Sequence, residues 1–144
     1  MKAIFLVLFL AVFAFSCSDD NDTMFSVTPE LSTYVESFYT EAALRGVNPP
    51  KTNLVAKIDT NCQSSIQISK DDEQWIMTMD KEIFDSMTAA GNPNNKIESM
   101  IFHELGRIIL NRELSSGNSI MNGNIKMNGY TNAQRSALID ELFQ

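Results

Sequence analysis

Of 144 residues, one is histidine and two are cysteine. A catalytic zinc is held by three protein side chains, with histidine in the majority, so a single imidazole excludes an ordinary His-rich metal centre. Two cysteines cannot build a disulfide framework, which leaves stability to packing. Positive charge is also scarce: Lys and Arg number 11 against 18 Asp and Glu, for a formal charge of −7. Such a surface repels nucleic acid and anionic head groups, and no nucleic-acid partner is expected. Internal repeats and low-complexity segments are lacking. So is an apolar run long enough to span a bilayer, because the longest, Ala3 to Phe15, falls short of the usual ~18 residues. The apolar content of 44% is that of an ordinary globular domain, not of a disordered chain.

The short apolar run follows Met1-Lys2 and has the charged start of a secretory signal, which places residues 1–16 outside the fold. Phe15-Ser16-Cys17 ends it, and Ser18-Asp19-Asp20-Asn21-Asp22 follows. A small residue before a cysteine at that place resembles a bacterial lipoprotein cleavage site, in which the cysteine is lipidated and becomes the first mature residue. Ala14 departs from the bulkier aliphatic residue usual in that pattern. The acidic run resembles the signal that carries Bacteroidota lipoproteins to the cell surface. The resemblance implies a lipid on Cys17 and an outer-membrane, cell-surface address, with residues 17–27 as an acidic tether and residues 28–144 as the domain. An ordinary signal-peptidase site with Cys17 as bystander is the alternative. With Cys17 lipidated, Cys62 stands alone and reads as a buried thiol.

Thr28-Pro29 is a cap followed by a residue preset for a first helical turn, and Leu31, Tyr34, Val35, Phe38 and Ala42 recur at helical spacing up to Gly46. Glu36, Glu41 and Arg45 fall on the exposed face. Segments 53–58, 65–68 and 75–79 alternate polar and apolar residues as strands do, with Lys70-Asp71-Asp72-Glu73 as a hairpin turn between the last two. That turn lacks the glycine and spacing of a calcium loop. Asp80 to Met87 is ambiguous, and Gly91 to Asn95 is a loop. Helical period returns from Lys96 through Ile97, Met100, Ile101, Leu105, Ile108 and Ile109. A turn at Ser119-Ile120-Met121 and a polar loop to Tyr130 follow. Thr131 then caps a last helix with Ala133, Leu138, Ile139 and Leu142 inward. Met77, Met79 and Met100 read as core filling, and Trp75 as the anchor of the hairpin. The expected fold is α+β: an N-terminal helix, a three- to four-stranded sheet, a second long helix, a methionine turn and a C-terminal helix.

The second long helix carries Ile101-Phe102-His103-Glu104-Leu105-Gly106-Arg107. Residues four apart share a helix face, so H-E-x-x-H lets two histidines hold one metal while the glutamate reaches its bound water. Here the second histidine is Arg107. A guanidinium has no lone pair to offer and keeps its charge. At ~4 Å and an effective dielectric near 20, each unit of metal charge beside it costs ~4 kcal/mol. The places where longer versions of the motif carry a third histidine hold Glu113 and Leu114.

With its motif helix followed by Ser119-Ile120-Met121, the chain resembles zinc-dependent-metallopeptidase-like lipoproteins of Bacteroidota, which share a small zincin-like, metzincin-like domain. The resemblance runs from Phe38 to Phe143. It implies His103 as a zinc ligand, Glu104 as general base and Met121 as the floor of the site, and Arg107, Met121 and Tyr130 are the residues expected to line the cleft. It supplies nothing at 107, and Glu113 is a carboxylate that could ligate only in an unusual set. The expectation is a pseudo-peptidase without cofactor, in which Arg107 fills the metal's place and pairs with Glu104 or Glu113. The membrane, through Cys17, and a peptide or protein ligand are the partners expected. A working zinc peptidase with an unusual ligand set, and a purely structural or binding envelope module, remain the alternatives.

Overall fold

The computed structural model of the chain describes residues 24–144. The expected signal segment, the lipidation site Cys17 and the acidic run lie outside the described residues. No helix among the described residues is long and apolar enough to cross a membrane.

Among the described residues the fold is α+β, with one mixed four-stranded sheet and five α-helices. In chain order the elements are β1 (Phe25–Val27), α1 (Pro29–Leu44), β2 (Leu54–Asp59), β3 (Ile66–Asp71), β4 (Gln74–Asp80), α2 (Lys81–Ala89), α3 (Lys96–Ile108), α4 (Gly123–Asn128) and α5 (Asn132–Leu142). The sheet order is β1-β2-β4-β3. β1 and β4 run parallel to β2, while β3 pairs antiparallel to β4. The β3–β4 connection is the expected hairpin, and Asp72 takes the left-handed conformation (φ 49°) its tight turn requires.

Period-two alternation sets the faces. Leu54 and Ala56 of β2, Met77 and Met79 of β4, and Ile66 of β3 are buried, whereas Val55, Lys57, Ile76 and Gln67 between them are half-buried or exposed. The core lies on the inner face, closed by Leu31, Val35, Phe38 and Ala42 of α1, by Ile97, Met100, Ile101, Phe102 and Leu105 of α3, and by Leu138, Ile139 and Leu142 of α5. Phe38 stands at its centre, with the rings of Tyr39, Phe102 and Phe143 between 5.1 and 5.6 Å from its own.

Several expectations are corrected. Phe25–Val27, read as tether, form β1, because their backbone completes a parallel ladder with Leu54–Ala56. Thr28 makes no side-chain cap; its backbone N–H extends that ladder to the Ala56 carbonyl (2.9 Å), and its hydroxyl is buried without a partner among the described residues. The ambiguous stretch after Asp80 is α2, capped by the Asp80 carboxylate accepting from the Ile83 N–H (2.9 Å). The polar loop before Tyr130 contains α4. Ala133 is exposed, and the Cys62 thiol is only half-buried, 3.5 Å from the Thr78 carbonyl. Glu41 and Arg45 are ion-paired at 2.6 Å and only partly exposed.

Candidate functional site

α3 buries an unbroken run from Ser99 to Gly106, which includes His103 (3% exposed) and Glu104 (2% exposed). A carboxylate that deep must be paired, since isolated burial of its charge is too costly. Two cations meet it. Arg107, one turn on, places its Nη1 2.9 Å from Oε2, and Lys126 of α4 places its Nζ 2.6 Å from Oε1. Both oxygens of Glu104 are thus taken. The two cations differ in setting: the Arg107 side chain is 47% exposed, that of Lys126 only 20%.

His103 turns its Nδ1 to the Ile120 carbonyl at 2.8 Å. A carbonyl only accepts, so Nδ1 carries the proton and the lone pair of the neutral ring sits on Nε2. Burial holds the imidazole below its ordinary value near 6.5; the bond to Ile120 and the Glu104 charge work in the opposite direction, while Lys126 and Arg107 add to the depression.

The methionine turn is built from the residues around that carbonyl. The Ser119 hydroxyl donates to Glu141 Oε2 of α5 (2.6 Å) and accepts from the Met121 N–H (3.0 Å). Glu141 also accepts from Arg112 (2.8 Å), which follows the end of α3. Met121 lies against the helix at Gly106, where a Cβ would stand 2.9 Å from the thioether sulfur and from the Leu142 side chain. His103, Glu104, Arg107 and the Ser119–Met121 turn therefore converge.

Two expected site residues do not join them. Glu113 lies exposed five residues beyond the end of α3 and makes no ion pair among the described residues. Tyr130 is buried, with its hydroxyl donating to Glu98 Oε1 at 2.6 Å. It belongs to a second cluster, in which Arg135 grips Glu98 with two nitrogens (2.8 and 2.9 Å) and Glu41 with a third (2.7 Å). Arg45 continues the chain of charges from Glu41 to Asp140 at 2.6 Å. Burial works against the Glu41 charge, but its hydrogen bonds from Arg135 and Arg45 outweigh that and hold the carboxyl below its ordinary range.

Zinc does not fit these donors. One imidazole nitrogen is open, the neighbouring carboxylate is neutralised twice over, and the described residues contain no group of three or more His, Cys, Asp and Glu side chains that could hold a metal ion.

Sequence reasoning missed Lys126, and it named Ser119 in the turn without the part its hydroxyl plays. Lys126 lies 22 residues from Glu104 and reads as an ordinary polar-loop cation. For Ser119 a signal existed: a hydroxyl two residues before a buried methionine can accept that residue's N–H and shape a tight turn.

No family model matches the chain, and neither a curated protein nor a solved structure matches it.

Proposed function

We propose that the chain is a lipid-anchored envelope protein whose domain is a zincin-like pseudo-peptidase, a non-catalytic module retaining the motif helix and methionine turn without the metal. One observation carries this reading. Both oxygens of Glu104, the residue that the motif assigns to activating water, are paired with cations, Arg107 and Lys126. A carboxylate whose charge is balanced by two cations, one on each oxygen, is a weak base toward water. The order of elements, with a helix, a sheet, the motif helix, the methionine turn and a closing helix, supports the zincin-like part. The lipid anchor rests on Ser16-Cys17 and the acidic run after it.

The test is metal content after equilibration of the purified full chain with zinc and removal of the excess. We expect far less than one zinc per chain, unchanged in His103→Ala. One tightly held zinc per chain, lost in His103→Ala, overturns the reading. Anchoring is tested separately: Cys17→Ser should shift the protein from the membrane fraction to the soluble one.

A working zinc peptidase is the second reading, and the imidazole favours it. A ring that donates Nδ1–H to a backbone carbonyl and keeps its Nε2 lone pair is oriented as metal-bound histidines are. Proteolysis abolished both by a chelator and by Glu104→Gln would establish that alternative.

A further inference from the structure

The segment 122–129 runs between two fixed posts. Met121 and Tyr130 are buried, and Tyr130 is tied down by its N–H to the Asn94 carbonyl (2.6 Å) and by its hydroxyl to Glu98. Between them no residue is buried. α4 fills all of the segment but its two end residues, and an Asn-Gly pair straddles each end of the helix: Asn122-Gly123, where a Cβ on the glycine would meet nothing, and Asn128-Gly129, where Gly129 has φ 73°. Six residues do not hold a helix in water unaided, so α4 persists only while it is docked.

Its docking rests on few groups. Ile125 packs part of its side chain against the core, and its carbonyl accepts from the Ser99 hydroxyl (2.8 Å). Lys126 reaches Glu104 (2.6 Å). At its entrance, Asn122 Nδ2 donates to the Gly117 carbonyl (2.7 Å), itself in an exposed loop. Of the remaining backbone bonds of the segment, Asn122 N–H reaches the Ser119 carbonyl (3.0 Å) at the entrance hinge, whereas Lys126 N–H to Asn122 and Gly129 N–H to Ile125 are internal to it.

We infer that residues 122–129 form a flap over the His103–Glu104 pair, hinged at its two Asn-Gly ends and latched by Lys126 on Glu104. When the flap lifts, the Lys126 ammonium leaves with it and Glu104 keeps only the half-exposed Arg107 as partner. A carboxylate closed off from solvent is then offered to an incoming cationic group. The flap depends on geometry alone and stands whether or not the domain is a pseudo-peptidase.

Amide hydrogen exchange on the full chain tests this, because the Lys126 and Gly129 amides are bonded only within the flap and lose protection when α4 undocks. In Lys126→Met, both should exchange faster by about tenfold or more while the Leu105 amide of α3 and the amides of β4 keep their rates. Ser99→Ala should accelerate the same two amides. Equal acceleration of every amide, or none, overturns the latch. Should Lys126→Met fail to fold, the unmodified protein decides: Lys126 and Gly129 amides as well protected as that of Leu105 would overturn the flap.

Discussion

Gly106 has no room for a methyl group. A Cβ there would stand 2.9 Å from Met121 Sδ and from Leu142 Cδ1, so the helix lies on the methionine turn and on α5 at closer range than a side chain allows. Both obstructing atoms lie at or near the ends of flexible side chains, and they can yield in part. Gly106→Ala should therefore lower stability by about 1–3 kcal/mol, as overpacking does, with the gain in helix propensity too small to offset it. Chemical denaturation measures the loss, and a double-mutant cycle with Met121→Ala locates it. If the strain arises at Met121, the alanine at 106 should cost less in the Met121→Ala background than in the parent. Equal cost in both backgrounds would remove Met121 from the account. The two cations on Glu104 differ at this scale too. An ion pair whose partner is 47% exposed contributes little, whereas Lys126 approaches the same carboxylate from a far less exposed position.

Among elements, α4 and the loop from Gly91 to Asn95 are joined through glycine. Gly129 holds φ 73°, and a Cβ on it would overlap the Asn94 carbonyl that accepts from Tyr130. The obstacle is backbone, which cannot swing aside. Gly129→Ala should thus cost at least about 2 kcal/mol, whereas Gly123→Ala, at a site where a Cβ meets nothing, should lie within about 0.5 kcal/mol of the parent. Thermal unfolding of the pair checks this, and comparable losses would show that the Asn94–Gly129 approach constrains nothing. The same elements show what can be read from residues in order. α1, α3 and α5 announce themselves by apolar spacing, and β2, β3 and β4 by alternation, because burial on one face imposes a period on the chain. β1 is three residues long, too short for a period, and exists only because β2 offers an edge. α4 is polar and six residues long, held by Ser99 and Glu104 of a distant helix, so no local pattern could announce it. At the site, the loss of the second histidine and a partner for Arg107 were legible, since both follow from positions one turn apart. Lys126 was not, because only the tertiary fold brings residue 126 to residue 104.

Across the whole molecule, one line of charges ties the helices together. Asp140 and Arg135 of α5, Arg45 and Glu41 at the end of α1, and Glu98 of α3 alternate in sign, and the Tyr130 hydroxyl closes the series on Glu98. Its members are partly exposed, so each pair contributes modestly, but the geometry fixes how α1, α3 and α5 sit against one another. Buried tyrosines, one of them at the end of this series, set an alkaline limit on the fold. All three tyrosines resist ionisation. Tyr39 is pushed up to about 12 by burial and by the Glu36 charge. Tyr130 is raised by burial and by its hydrogen bond to Glu98, and Tyr34 by burial with Glu98 nearby. In the unfolded chain each loses its proton near the ordinary value of 10.0. Above that pH the unfolded state binds fewer protons than the native one, so stability falls as pH rises. Tyr130, with its buried hydroxyl bonded to Glu98, should ionise only with loss of structure, so its phenolate absorbance should appear together with the collapse of helical circular dichroism. At about pH 11, with the dichroism still native, no more than one tyrosine should have titrated. Two or three phenolates in a chain that keeps its full helical signal would mean that Tyr130 reaches solvent with the fold intact, and that the bond to Glu98 does not hold α3 to the segment entering α5.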